Sequence, residues 1–234
     1  MSDTAAPVDP KSLVVRDAAT VIVIRQDSDA PAVLMGMRGA GAAFMPNKYV
    51  FPGGAVDAGD AAIPLAGGLS PACAARLDVP PGTGGLSNAL AAAAIRELWE
   101  ETGLRLGRPG TWPGTPPEDW ASFAETGLVP DASALRFLFR AITPPGRPRR
   151  FDARFFLTDA ARITGDPDDF SRASDELSHL HWVPLAEVRA LNLPFITEVV
   201  LGEVAAHLRE DRLDQTGVAF FDNSTDRPAF RRLG

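Results

Sequence analysis

The stretch that decides the fold is Arg96-Glu97-Leu98-Trp99-Glu100-Glu101-Thr102-Gly103-Leu104, at the end of a run rich in Ala, Leu, Ile and Glu. This run predicts an α-helix with Ser87 as its N-cap and Gly103 as the left-handed residue that closes its C-terminus. At about 100° per residue, the apolar side chains lie on one side of the helix. The other side, which we expect to face outward, carries the acids Glu97, Glu100 and Glu101.

These acids are badly placed for a helix with nothing bound to it. Glu97 and Glu101 are like charges at i,i+4, which costs a few tenths of a kcal/mol, and the helix dipole is already negative at this end. Arg96 can pair with Glu100 but cannot neutralise all three acids. A solvated acidic face is one interpretation. The other is a bound divalent cation, because Mg²⁺ prefers hard oxygen ligands with room left for water and phosphate.

The surrounding residues resemble the Nudix box, which runs Gly, five residues, Glu, seven residues and then Arg-Glu-apolar-any-Glu-Glu-any-Gly-apolar. Gly54 matches the first position, Asp60 the first acid and residues 96–104 the whole second half. The Phe-Pro-Gly-Gly lead-in that ends at Gly54 agrees as well. Two features depart from the pattern: Asp replaces Glu at residue 60, and 35 residues separate it from Arg96.

The resemblance implies an α/β fold, the Nudix α/β/α sandwich with a mixed sheet and an insertion inside the box. It implies hydrolysis of a diphosphate with Mg²⁺ or Mn²⁺ as cofactor. The ions would be held by Glu97, Glu100, Glu101 and the backbone carbonyl of Gly53. Arg96 would orient Glu100 and the preceding loop, and the general base would be a box glutamate or Glu176 from a later loop. Asp60 and Gly103 would support the box, with Asp60 paired to Arg96.

Further segments are similar to the split-box branch that includes the peroxisomal coenzyme A diphosphatase, namely residues 44–54, 142–144 and 149–156. This favours a coenzyme A-like small-molecule substrate. The signature of the other coenzyme A branch is not present, so ADP-ribose and nucleotide sugars stay open as alternatives. A non-catalytic ligand sensor is a further alternative, although a sensor is free to lose carboxylates that this chain keeps.

Four residues are candidates for contacting the substrate: Gly54, Arg38, Phe51 and Arg150. A glycine lets the backbone come close to a ligand, and arginine often binds phosphate. For the arginines the alternative is a solvent-facing place on a strand. For Phe51 the alternative is packing in the core.

Composition limits the partners. The formal net charge of −7 provides no electrostatic footprint for nucleic acid polymers or anionic membranes. Cys73 stands alone, which excludes an internal disulfide and favours a reducing compartment. The N-terminus carries neither a signal-peptide pattern nor an apolar span, so we expect a cytoplasmic protein. A homodimer remains possible.

The predicted organisation is an N-terminal arm (1–13), one domain (14–210) and a C-terminal tail (211–234). Residues 61–88 form the insertion, in which Ser70-Pro71 can start a short helix. The insertion is either a lid or substrate wall beside the carboxylates or a passive surface excursion. Phe220, Phe221 and Phe230 of the tail are expected to pack, with a dimer interface as the alternative. Strands are predicted over residues 18–25, 32–38, 49–51, 135–142, 150–157 and 180–183, and further helices over residues 115–123 and 193–208, with a break at 127–131.

Overall fold

The computed structural model of the chain describes residues 14–26, 30–42, 44–77, 85–210, 217–225 and 227–234. The strands in these ranges are β1 (Val15–Arg25), β2 (Ala32–Arg38), β3 (Tyr49–Val50), β4 (Gly53–Ala55), β5 (Gly107–Pro109), β6 (Leu128–Pro130), β7 (Arg136–Ile142), β8 (Arg150–Asp159), β9 (Leu177–Pro184), β10 (Val218–Asp222) and β11 (Ala229–Leu233). The helices are α1 (Pro71–Leu77), α2 (Leu86–Thr102), α3 (Glu118–Ala124) and α4 (Phe195–Glu210), and short 3₁₀ turns occupy Asp60–Ala62, Ala160–Arg162 and Val188–Ala190.

A mixed sheet is built around β1, in the order β11-β10-β7-β8-β1-β2-β3. Strand β1 runs parallel to β8 and antiparallel to β2 and β4, and β9 adds to β2. The nearly continuous apolar sequence from Ala18 to Ile24 is typical of a strand that is buried on both faces. β1 therefore lies in the middle of the domain.

Helices cover the two faces of the sheet. Val21 and Val23 of β1 pack in the cluster that contains the apolar side of α2. Ile22 and Ile24, which alternate with them and point the other way, pack in the cluster that contains α4. The predicted α/β class, with helices on both sides of a mixed sheet, is confirmed.

Helix α2 ends where predicted but begins elsewhere. Gly103 has φ = +76°, and its N–H donates to the Trp99 carbonyl at 2.8 Å. A residue with a side chain would be strained in this left-handed conformation. The Ser87 N-cap prediction is wrong: Gly85, at φ = +94°, precedes the first helical residue, Leu86, so Ser87 already lies inside the first turn.

The acids of α2 do not project into open solvent, and that expectation is also wrong. The side chain of Glu101 is 3% exposed and that of Glu97 is 13% exposed. Strand β4 packs across this end of α2 and covers them. Only Glu100, at 39%, keeps substantial contact with solvent.

The described part of the insertion packs against the body of the domain. Helix α1 begins at Pro71 as predicted, and the Ser70 Oγ accepts the Cys73 N–H. Cys73 and Leu77 are buried in the core on the α2 side of the sheet. The remaining residues of the insertion, 78–84, lie outside the described ranges, as do the predicted arm, 1–13, and residues 211–216 of the tail.

The second half of the predicted tail belongs to the sheet. Strand β10 runs parallel to β7, and β11 pairs with β10 at the edge. Placing a domain boundary at residue 210 is therefore wrong for these strands, whose pairing with a distant strand leaves no local sequence signal. Phe220 is buried, as expected for a packing group, whereas Phe230 is 55% exposed.

One strand of an antiparallel pair lies where the sequence predicts a break. Strand β6 lies within residues 127–131 and pairs with β5 to form a small second sheet.

Among the described residues, none of the helices has both the length and the apolarity needed to cross a lipid bilayer.

Candidate active site

The guanidinium of Arg96 contacts several acidic side chains of the site at once. Its Nε donates to Asp60 Oδ1 at 3.2 Å and its Nη2 to Asp60 Oδ2 at 3.1 Å. Its Nη1 reaches Glu97 Oε1 at 2.8 Å and Glu100 Oε2 at 3.3 Å, and its Nη2 also donates to the Ala55 carbonyl. The shorter side chain of Asp60 thus still reaches Arg96, and the guanidinium joins the two halves of the interrupted box.

Glu101 is held from the opposite side by β4. Its Oε2 accepts the Gly53 N–H at 2.8 Å, and its Oε1 lies 4.0 Å from Arg38 Nη1. The Nε of Arg38 is buried and has no hydrogen-bond partner among the described residues. Arg38 therefore stands at the end of β2 with its guanidinium beside the carboxylates.

Gly53 and Gly54 are both positions where a β-carbon does not fit. A methyl group on Gly54 would overlap the carboxyl group of Glu97. A methyl group on Gly53 would instead overlap the backbone of β1, at the Ala19 carbonyl oxygen and Thr20 Cα. The two glycines let β4 fit tightly between β1 and the acidic end of α2.

The electrostatics of the cluster show negative charge that is only partly neutralised. Burial, reinforced by the neighbouring carboxylates, raises the pKa of Glu97 to about 7 against the opposing effect of Arg96. Burial raises the pKa of Glu101 to about 8, although the Gly53 N–H opposes the shift. Burial also raises the pKa of Glu100. Burial acts to lower the pKa of Arg96, but its ion pair with Asp60 and the glutamates outweigh burial and raise it.

A cavity of about 950 Å³ opens beside these groups. Its acidic end is lined by Glu97, Glu100, Glu176, Arg96, Gly53 and Gly54. Glu176 is exposed and projects from the loop before β9, near enough to Glu97 for its charge to raise the pKa of that group. The structure therefore brings this distant glutamate to the site, although nothing in the local sequence requires it.

Sequence and structure differ on the candidates for substrate contact. Gly54, Arg38 and Phe51 line the cavity, although Phe51 is 4% exposed and also packs in the core beside α4. Arg150 does not line it. The Arg150 guanidinium donates to the carbonyls of Thr143 and Ser224, so it ties β8 to neighbouring loops.

The sequence also missed several residues at this site. The opposite wall of the cavity is largely apolar and includes Phe195 and Phe221. Phe195 is the first residue of α4 and is 68% exposed, an unusual position for a large apolar side chain. The described residues of the insertion do not line the cavity. Their position therefore lends no support to a lid.

The donor set suits a hard divalent cation in chemistry and in charge. It consists of carboxylates with raised pKa values beside glycines that leave the backbone open. Within the described ranges, no three Asp, Glu, His or Cys side chains are grouped closely enough to hold a metal ion. In this arrangement Arg96 takes one oxygen each from Glu97 and Glu100, and Gly53 takes one from Glu101. Binding an ion would therefore require these side chains to turn.

Comparison with known proteins places this site in a family. A solved structure, the Nudix hydrolase from Alicyclobacillus acidocaldarius, is 30% identical to the chain and superposes with a TM-score of 0.59. The match covers 82% of this chain and 92% of that hydrolase. The chain belongs to the Nudix hydrolase superfamily. The resemblance drawn from residues 96–104 is thereby confirmed, as is the Nudix fold.

Two curated Nudix relatives match at lower identity. Nudix hydrolase 7 of Caenorhabditis elegans is 29% identical over 180 residues, which cover 72% of this chain and 51% of that protein. Acyl-coenzyme A diphosphatase NUDT19 of Gallus gallus is 29% identical over 207 residues, which cover 64% of this chain and 53% of that protein. The chain thus spans about half the length of these relatives. No family model matches it.

Proposed function

We propose that the protein is a metal-dependent pyrophosphohydrolase that cleaves the diphosphate linkage of a nucleoside diphosphate joined to another moiety. A coenzyme A-like substrate is favoured over ADP-ribose and nucleotide sugars. The observation that carries the proposal is the convergence of Glu97, Glu100 and Glu101 beside Gly53, where Glu97 and Glu100 line a cavity much larger than a diphosphate and Glu101 is buried next to them. Mg²⁺ or Mn²⁺ held there would supply charge neutralisation for the phosphates and activation of water.

The electrostatics of the site support a cation. Burying several carboxylates together is unfavourable, and Arg96 compensates only part of their charge. An acidic protein that binds an anionic diphosphate also needs positive charge between the two. A divalent ion meets both requirements in one place, which a solvated acidic face does not explain.

The roles of the other residues follow from their contacts. Arg96 orients Glu97 and Glu100 and is itself fixed by Asp60. Arg38 directs its guanidinium to the same place, where the unpartnered Nε can donate to a phosphate oxygen. Glu176 is the only acid outside the box among the described residues that line the cavity, and it is our candidate for the base that takes a proton from water.

Support for a coenzyme A-like substrate comes from the split-box resemblance and from the name of the Gallus gallus relative. The apolar wall opposite the carboxylates points the same way. The substrate of the proposed hydrolase is a small molecule.

The test is a substrate screen of the purified protein with Mg²⁺ or Mn²⁺, in which products are identified by mass spectrometry. The panel contains coenzyme A, acyl-coenzyme A, ADP-ribose, NADH, dinucleoside polyphosphates and nucleoside triphosphates. We expect cleavage at the diphosphate of the coenzyme A compounds, lost in Glu97→Gln and kept in Glu125→Gln, an exposed acid outside the cavity. Tight binding of one compound without turnover of any would instead identify a ligand sensor.

A further inference from the structure

A row of small side chains runs across the sheet from the carboxylates to its far edge. Ala55 of β4 pairs with Ala18 of β1, and Ala18 pairs with Ala153 of β8. Ala153 in turn pairs with Ala141 of β7. Residues paired directly across neighbouring strands point to the same face, and all four of these alanines line the cavity.

The row ends on aromatic side chains. Ala141 pairs with Phe221 of β10, and Phe221 pairs with Phe230 of β11. The ring centroids of Phe221 and Phe230 are 6.3 Å apart, and Phe195 of α4 lies 6.2 Å from Phe221. We call Phe195, Phe221 and Phe230 the aromatic track. Four strand-to-strand steps of about 4.8 Å separate Ala55 from Phe221, so the row is about 19 Å long.

We call the part of the cavity that lies over the row of alanines the channel, and aromatic side chains flank it. Phe151 and Phe155 flank Ala153 on the same face of β8 and line the cavity, and Phe44 packs edge-on against Phe151 at 5.4 Å. Ile142, Thr143, Ile196 and Thr197 also line the cavity and carry no charge, whereas Arg147 and Arg149 add positive charge to the lining from the loop between β7 and β8. The row of alanines itself therefore offers mainly dispersion contacts.

The far end is left uncovered. Only four large hydrophobic residues are highly exposed among the described residues, and Phe195 and Phe230 are two of them. Both lie in the aromatic track: Phe195 lines the cavity, and Phe230 packs beside Phe221 without being part of the lining. Exposed aromatic side chains that stand next to each other beside a cavity favour a binding surface.

Continuity with the carboxylate end determines what fits. A diphosphate held beside Gly53 and Gly54 starts the row at Ala55, and the group attached to it must follow the channel. In a coenzyme A thioester that group is the linear pantetheine arm, which would lie along the row and carry the apolar acyl chain to the aromatic side chains at its far end.

We propose that the aromatic track is the subsite for the acyl chain of a coenzyme A thioester, so that Phe195 and Phe230 set a preference for long-chain substrates over free coenzyme A. This inference rests on the proposed diphosphate hydrolysis for the position of the substrate. Each methylene that leaves water contributes up to about a fourfold gain in kcat/KM or in affinity. An open channel realises only part of that gain.

The test compares coenzyme A with its acetyl, octanoyl and myristoyl thioesters, all below micelle-forming concentrations. Affinities are measured by calorimetry in EDTA, and kcat/KM is measured with Mg²⁺. The variants are Phe195→Ser and Phe230→Ser, whose side chains are exposed enough to be replaced without unfolding. The matched control is Val14→Ser, an exposed apolar residue that does not line the cavity.

We expect the myristoyl to free coenzyme A ratio to exceed about tenfold in the wild type. It should fall at least severalfold in each Phe variant and stay constant in Val14→Ser. A flat chain-length series would overturn the inference while leaving the hydrolase intact. Chain-dependent binding without turnover would support the subsite and reject the hydrolase. A change in oligomeric state of the Phe variants with no change in the ratio would identify the track as a protein interface and overturn the inference.

Discussion

Asp60 and Arg96 form a two-point ion pair across the interrupted box, with Nε–Oδ1 at 3.2 Å and Nη2–Oδ2 at 3.1 Å. Both side chains are almost completely buried, at 2% and 5% exposure. The insertion begins just after Asp60 and ends at the start of α2, and it does not separate Asp60 from Arg96 in space. An aspartate suffices because the 3₁₀ turn at Asp60–Ala62 brings its carboxylate to the guanidinium.

Replacement of Asp60 should destabilise the fold. In Asp60→Asn the guanidinium of Arg96 loses its buried counter-ion but keeps Glu97 and Glu100, so we expect a loss of about 2 kcal/mol in the free energy of unfolding. Urea denaturation followed by circular dichroism measures this loss. The control is Asp175→Asn on an exposed loop, expected within about 0.5 kcal/mol of wild type. Equal stability of the two variants would mean that the ion pair does not support the box.

Substitutions at the two glycines of β4 should have different effects, one on stability and the other on activity. Gly53→Ala places a methyl group against the backbone of β1, which cannot move away cheaply, and should cost about 2 kcal/mol of stability. In Gly54→Ala the atoms nearest to the added methyl group are those of the Glu97 carboxyl group, which can rotate. This variant should fold nearly normally and lose about tenfold to a hundredfold in kcat/KM through the displaced carboxylate.

Thermal unfolding and steady-state kinetics on the same samples test this pair, with Gly59→Ala as control. A β-carbon at Gly59 meets no atom within 4 Å, and the backbone there is already helical. Its stability and activity should match those of the wild type or exceed them slightly. A Gly54→Ala variant with full activity would show that the position of Glu97 is not critical.

Glu176 should act in the chemical step and not in holding the metal. Glu176→Gln keeps the shape of the side chain but cannot accept a proton, so kcat should fall by a factor of about a hundred or more. Manganese uptake, measured by calorimetry, should be unchanged. The neighbouring Asp175→Asn, which does not line the cavity, should retain normal kcat. An unaltered kcat in Glu176→Gln would leave the box glutamates as the candidates for the base.

What the sequence could predict was local. The helix around residues 96–104 and the strands near β1, β2, β7 and β8 follow from periodicity within each segment. The family was readable because the box fixes residue types at fixed spacings. The pairing of Asp60 with Arg96 across 35 intervening residues was inferred from that resemblance and lies as expected.

The remainder depends on contacts between distant parts of the chain. Glu101 is buried because β4 lies against it, and helical periodicity alone places it on an outer face. Arg150 is occupied by the carbonyls of Thr143 and Ser224, a partnership that sequence spacing does not reveal. The row of alanines depends on the register of four strands, and its continuation to Phe221 depends on β10, which follows β7 by more than seventy residues.

The central claim is that the carboxylates of α2 take up a divalent cation together with a diphosphate. Titration calorimetry with Mn²⁺ and Mg²⁺, alone and in the presence of α,β-methylene ADP, tests it most directly. The account predicts metal uptake by the wild type and by Glu125→Gln, strengthened by the analogue and abolished in Glu97→Gln and Glu101→Gln. The absence of uptake by the wild type under every condition, or unchanged uptake in both cluster variants, would contradict it.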